Sequence, residues 1–395
     1  MSNLPSNNVQ TEWTEAELLA SDKIAEPLVA AGVRCHGGFD AAGEYRSPRT
    51  RFRQPAIDAW QRHHREQFGT DLIDVPLSTW PESYPNVAQA KFLVRNGVRE
   101  PMITVLTRIG TVEGFGAMIR YADVGDIQRF FGESITGTAT AHLDRGLFEA
   151  HARDEAGFGD EAGHKQMWFA ARDIAFEEPI TEDQTATMLE RMGLSSSGGS
   201  APDPERIRRQ MEEQRVFDDL DFALEMLVQR MIGILLIEIS AFHTFAWAEA
   251  VLSDTDLVAG NGDAARIVSY IRADEAPHVE YLKTAITEMR DRTFVGESGK
   301  KLEGTKVIGE LWDRGLADSL GPRRDQFLET TRREIERAMK ANPGGDDLLE
   351  EFDALGTIDW PPRGDEANGV SGVARQRASA RGAGTLRRSE RARKE

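Results

Sequence analysis

Cysteine is all but missing from this 395-residue chain: Cys35 stands alone. That excludes an intramolecular disulfide, an iron–sulfur cluster and a cysteine-built structural zinc site. Positive charge is also short. With 48 Lys and Arg against 66 Asp and Glu, the formal net charge is −18, so neither nucleic acid nor an anionic membrane surface is the expected partner. The most hydrophobic stretch, 231–246, is interrupted by Glu238 and His243 and falls short of the roughly 20 residues a spanning helix needs. The start, MSNLPSNNVQTEW, lacks the basic-then-apolar order of a secretory signal, so a soluble, cytoplasmic protein is expected. There is no dinucleotide fingerprint, and the fragment GESGKK has no upstream glycine to make a phosphate loop.

Helical periodicity dominates what is present, and no strand-rich region or long repeat appears, so the expected class is all-α. Residues 1–85 mix short helical patterns, among them AIDAWQRHHREQF, with Pro and Gly, and are read as an irregular or helical extension. The main helical domain is placed at 86–340, with helices over 100–123, 136–152, 160–176, 218–252 and 264–292 and peripheral ones over 307–316 and 323–341. A Ser-, Gly- and Pro-rich loop at 193–204 divides it into halves. A loop follows at 341–365. The last stretch, 366–395, has eight Lys or Arg, three Glu and almost no large apolar residue, and is expected to stay disordered. Gly110, Gly114 and Gly116 each cost about 1 kcal/mol relative to Ala inside a helix, which predicts a close neighbour.

The chemistry is carried by a pattern that occurs twice, Asp160-Glu161-x-x-His164 and Asp274-Glu275-x-x-His278. Residues three apart on a helix share a face, so each Glu and His can grip one metal centre. Random placement yields on the order of 0.05 such motifs in a chain of this composition. Two further carboxylates complete a dinuclear set. Glu238 lies among Met231, Ile234, Leu235, Phe242 and Phe245, where an unpaired carboxylate costs several kcal/mol. Glu113, with Ile109, Gly110, Gly116 and Ala117 on its face, is the candidate from the first half, ahead of Glu100 and Glu149. Four carboxylates and two divalent ions balance electrically, and oxygen and imidazole donors suit iron or manganese. Trp168, Tyr270 and Tyr281 are assigned to packing. His63, His64, His142, His151 and His243 are read as surface or ordinary core histidines.

In its order of motifs the chain resembles the ferritin-like di-iron carboxylate enzymes, which include multicomponent monooxygenases, soluble acyl-carrier-protein desaturases and the ribonucleotide reductase radical subunit. The family order Glu, Glu-x-x-His, Glu, Glu-x-x-His falls on Glu113, Glu161 with His164, Glu238, and Glu275 with His278, over about residues 100–290. Asp160 and Asp274 match the family's aspartates that stand behind the ligands and accept the ring N–H of a ligand histidine. The resemblance implies a ferritin-like four-helix bundle with added peripheral helices. It also implies two iron ions (manganese being the other metal that fits) and an oxidase or monooxygenase that uses dioxygen on a small organic substrate by hydroxylation, N-oxygenation or desaturation. An external reductase or ferredoxin is implied as electron donor, and a homodimer is the family's frequent assembly. A ferritin- or rubrerythrin-like iron-binding protein is the alternative, and a radical subunit, with Tyr121 as its tyrosine, a third reading. Two departures stand out: 48 residues separate Glu113 from Glu161, which implies an inserted segment, and Pro277 is expected to kink its helix.

Overall fold

A computed structural model describes residues 10–21, 26–123, 125–176, 181–191, 209, 212, 213 and 215–356 of the chain. The loop expected at 193–204 and the tail at 366–395 lie outside them. The helices, in chain order, are α1 (Glu15–Leu18), α2 (Thr50–Phe68), α3 (Val87–Arg95), α4 (Glu100–Gly116), α5 (Phe148–Ala156), α6 (His164–Ala175) and α7 (Glu182–Arg191). They continue as α8 (Phe222–Leu252), α9 (Asp263–Arg290), α10 (Gly304–Leu320), α11 (Pro322–Lys340) and α12 (Gly345–Leu355). The strands that accompany them form two-stranded antiparallel hairpins of two or three residues per strand, so the all-α class holds.

Helix α8 is apolar almost all round, which is the pattern of a helix buried on every side. Asp221 starts it by accepting the Leu224 amide at 3.1 Å. Its buried leucines and isoleucines each contribute about 1.5–3 kcal/mol, which lets the helix carry a buried Glu238. Helix α9 packs along α8 and α6, α4 packs on α6, and α2 lies on the far side of α9. There Gln61 donates to the Thr284 hydroxyl at 3.1 Å.

The apolar interior falls into two clusters. One joins Leu235 and Ile239 of α8 to Val279 and Ile286 of α9; the other joins Phe245 of α8, Ile271 of α9, Leu106 of α4 and Trp168 of α6. The boundary between them crosses α8 near Glu238 and α9 between Ile271 and Val279, where Glu275 and His278 stand. A polar layer thus divides the core at one level.

Several expectations are corrected. Over 136–152, the α-helix begins only at Phe148. Gly146, at φ 127, and a 3-10 turn at Thr140–His142 precede it, and the Ala139 and Thr140 amides donate to the buried Glu288 carboxylate instead of to a helix. The expected loop 341–365 contains α12, whose first-turn Asp346 and Asp347 favour the helix dipole and whose Phe352 is buried. Pro277, expected to kink its helix, lies inside α9, which runs on to Arg290 as one element. The stretch Glu100–Tyr121 is, by length and composition, apolar enough to cross a membrane, which the sequence reading passed over; Gly110 and Gly114 within it lie against α6.

The glycines of α4 do have close neighbours. A Cβ on Gly110 would meet Trp168 Cβ at 2.8 Å and the Phe169 ring at 3.0 Å, and one on Gly116 would meet Glu155 Cγ at 2.8 Å. Small residues here set how near α4 comes to α5 and α6. In urea unfolding, Gly110→Ala is expected to lose about 1–2 kcal/mol, overpacking outweighing a helix-propensity gain of about 1 kcal/mol. A net stabilisation would show that α6 does not approach α4 so closely.

Candidate metal centre

Five helices place buried polar side chains at the boundary between the two apolar clusters. Helix α4 supplies Glu113, α5 supplies His151 and Glu155, α6 opens with His164, α8 supplies Glu238, and α9 supplies Glu275 and His278, all buried. Their ligand atoms gather in two groups, each within 4.8 Å: Glu113, Glu155, His164 and Glu275; and His151, Glu155, Glu238 and His278. Glu155 belongs to both. Glu275 also reaches both, with Oε1 2.8 Å from His164 Nδ1 and Oε2 2.6 Å from His278 Nδ1. The pattern is two adjacent positions with Glu155 and Glu275 between them and Glu113 and Glu238 at the ends.

An outer layer orients the imidazoles. His278 Nε2 bonds Asp154 Oδ2 at 3.0 Å, and His164 Nε2 faces Asp274 Oδ2 at 3.8 Å. A proton held on Nε2 toward the aspartate leaves the Nδ1 lone pair for the centre. Asp154 is itself held by Arg49 and by Arg53 at 2.8 Å. Asp274 accepts from the Tyr45 hydroxyl at 2.7 Å and from Ser47, and lies 2.7 Å from His36 Nε2. His151 has Tyr281 Oη 3.0 Å from its Nδ1, while its Nε2 faces Glu238 at 3.6 Å and Glu155 at 3.7 Å.

The electrostatics are those of a layer in need of positive charge. Burial pushes Glu113 up to about 8, with Glu275 and Glu155 adding to the rise and His164 opposing it. Burial and then the charges of Glu275, Glu155 and Glu113 hold Glu238 well above the usual carboxylate range. Burial also raises Glu155. Glu275 is held well below that range because His164 and His278 outweigh its burial. Burial works against protonating the histidines, yet Glu275 and Glu155 lift His164 far up, and Glu275 and Asp154 lift His278 to about 9. His151 goes the other way, lowered by burial and by neighbouring His278.

Both carboxylate oxygens of Glu155, Glu275 Oε1, His151 Nε2 and His164 Nδ1 are buried without a hydrogen-bond partner. Orphaned acceptors that converge from separate helices in a water-poor core fit a pair of cations. The oxygen and imidazole donors match iron or manganese.

Of the residues singled out in the sequence, the structure brings together Glu113, His164, Glu238, Glu275 and His278, with Asp274 behind them. Glu161 and Asp160 are corrections. They sit on a hairpin, Gly157–Phe158 paired with Glu161–Ala162, where Glu161 is half-buried outside both ligand groups and Asp160 is exposed, 3.5 Å from Arg34. The sequence here reads DEAGFGDEAGH, two copies of Asp-Glu-Ala-Gly six residues apart. Helix α5 ends at the first copy, Gly157 at φ 84 turns the chain out, and Gly159 at φ 66 turns it back. Gly163 then passes so close to the Glu155 carbonyl that no side chain would fit. The Glu of the first copy therefore meets the His of the second. Asp154 takes the place expected for Asp160.

His151, read as an ordinary histidine, also belongs to the site; its spacing of four from Glu155 on α5 was the available signal. The weaker first-half alternatives lie elsewhere: Glu149 pairs with Arg153 and Arg120, and Glu100 with Arg337.

The two copies are separable by experiment. Anaerobic ferrous iron at about a hundred times its dissociation constant adds about 2.7 kcal/mol to the folded state. The resulting rise of several degrees in melting temperature is expected for the wild type and Glu161→Ala but not for Glu155→Ala. Equal responses in the two variants would remove Glu155 from the centre. Comparison with known proteins finds no matching family model, no matching curated protein and no matching solved structure.

Proposed function

We propose that the chain is a ferritin-like di-iron protein, an oxidase or monooxygenase that uses dioxygen on a small organic substrate, with α4, α5 with α6, α8 and α9 as its four bundle helices. The observation that carries this reading is the pair of buried four-residue groups sharing Glu155, with an aspartate behind an imidazole at each position. On this reading Glu113 and His164 would hold one iron and His151, Glu238 and His278 the other, with Glu155 and Glu275, which reach both groups, available to either. Two ferrous ions, when bound, supply the electrons and Lewis acidity that activate dioxygen.

The chain's own residues then do three things. Asp154, bonded to His278 Nε2 at 3.0 Å, keeps that proton on the outer side so that Nδ1 remains a donor to the centre, and Asp274 stands behind His164 with its Oδ2 3.8 Å from Nε2. The apolar clusters above and below the polar layer exclude water, which strengthens every charge interaction within it. The two positions are also unequal: one group has three carboxylates and one imidazole, the other two of each. With Cys35 as the sole cysteine, electrons must come from an external reductase or ferredoxin.

Iron storage is the competing reading. It asks for ions that pass through the site, whereas here the ligands are among the most buried polar groups of the chain and are backed by buried aspartates, which favours resident ions. Metal analysis after anaerobic loading is expected to find about two irons per chain, and fewer than one in His164→Ala or His278→Ala. With a reductant, oxygen uptake should rise several-fold with the right substrate. Tens of irons per chain would favour storage, and binding indifferent to both histidines would end the di-iron reading.

A further inference from the structure

The outer face of α8 carries an apolar cleft. Helices α4, α8 and α11 and the segment 80–84 enclose about 240 Å³ there. At 100° per residue Trp247 of the lining, nine positions beyond Glu238, points from the opposite side of α8, and Ser240 and His243 fall within 40° of it. The cleft is therefore separate from the candidate metal centre. Tyr84, Ile109, Ile237 and Phe327 contribute to its wall, and Ile237 and Phe327 are left 38% and 37% exposed. A concave apolar surface is unfavourable in water until something covers it.

The described chain ends beside this cleft. Helix α12 closes on the stretch that follows the wall segment: the Phe352 carbonyl accepts from Gln89 at 3.1 Å and the Leu355 carbonyl from Asn86 at 3.0 Å. The Phe352 ring also meets Tyr84, at 6.4 Å between centroids and edge-on, and Tyr84 lines the cleft. Beyond Gly356 the sequence continues Thr357, Ile358, Asp359, Trp360, Pro361, Pro362. Trp360 is the only aromatic residue after Phe352. It stands four residues past Gly356, a reach of about 14 Å in extended chain, whereas Asn86, which holds Leu355, is two residues from Tyr84. The two prolines hold the backbone extended and lessen the entropy lost when the segment docks.

We propose that residues 358–362 fold back over this cleft, with the Trp360 indole against Ile109, Ile237 and Phe327. The size fits: a cavity of about 150 Å³ holds benzene, so one of about 240 Å³ takes the fused rings of an indole. Charge agrees. Of the arginines on the lining, Arg108 is paired with Glu334 and Arg323 with Asp318, Arg324 has no ion pair among the described residues, and Asp359 precedes Trp360 in the docking segment. The segment thereby clasps α12 to α8, on the side of α8 away from Glu238.

The lone cysteine makes the cleft easy to read. Cys35 is fully buried, so a thiol introduced at position 237 is the one that reacts. A segment docked for more than about nine-tenths of the time slows that reaction roughly tenfold or more. Full-length Ile237→Cys is therefore expected to react with a maleimide roughly tenfold more slowly than Ile237→Cys combined with Trp360→Ser, independently of protein concentration, while Cys35 stays unreactive in both. Equal rates in the two variants overturn the proposal. Protection that fades on dilution also does, because the segment then sits in the cleft of a second copy, and so does an acceleration that Cys35 shares, which marks general loosening. The measurement needs no metal, so its outcome is independent of the di-iron reading.

Discussion

Glu113, Glu155, Glu238 and Glu275 share one water-poor layer, and most of the structure around them answers that constraint. Each ionised carboxylate moved into such a place costs several kcal/mol unless a positive or hydrogen-bonding partner is built in beside it. Three imidazoles stand inside the layer, and two aspartates, two arginines and two tyrosine hydroxyls stand behind them. The cost is spread over the fold in a visible way. The apolar core is split in two at this level, and α8 and α9, the longest helices, each run through both halves and so tie them together across the polar seam. A shorter helix would reach only one cluster.

The hairpin between α5 and α6 shows how local chain geometry serves the same end. A continuous helix through 151–164 would place His164 nine residues, or 900°, from Glu155, on the opposite side. Turning seven residues out from Gly157 and restarting the helix at His164 returns the imidazole to the face of Glu155. His164 thereby becomes the first residue of α6, where the positive end of the helix dipole opposes its protonation while Glu275 and Glu155 favour it. The close approach of α4 allowed by Gly116 brings Glu113 against the same group.

Part of this was legible in the sequence and part was not, for physical reasons. Glu238 announced itself by its apolar neighbours, and Glu275 with His278 by a spacing that needs nothing but an unbroken helix. Glu113 followed from the glycines around it, which only a close neighbour explains. Glu155 was obscured because the motif was complete without it: the second Asp-Glu-Ala-Gly copy stands at the right distance from His164, and only the turn at Gly157 and Gly159 disqualifies it. The main helices were legible from periodicity. The helix expected over 136–152 failed because Glu288, remote in sequence, takes the amides that a helix would have used. No local pattern reports a contact of that range.

The same limit hid the role of the N-terminal extension, and that role makes the two positions of the centre unequal. Residues 36–53 anchor both outer aspartates from behind: His36, Tyr45 and Ser47 hold Asp274, and Arg49 and Arg53 hold Asp154. Orientation of His164 and of His278 thus depends on the docking of one short segment, which couples its folding to assembly of the site. The two anchors differ in kind. Asp154 faces two permanently charged guanidiniums that offset much of its charge, whereas Asp274 is held by hydroxyls and an imidazole and keeps more of its own. A carboxylate that keeps its charge leaves more negative potential beside the imidazole in front of it, so the outer layer is the more negative behind His164. The inner layer adds carboxylates at the same position and a second imidazole at the other, so both layers concentrate negative charge around His164 and leave the His151–His278 side the more neutral of the two.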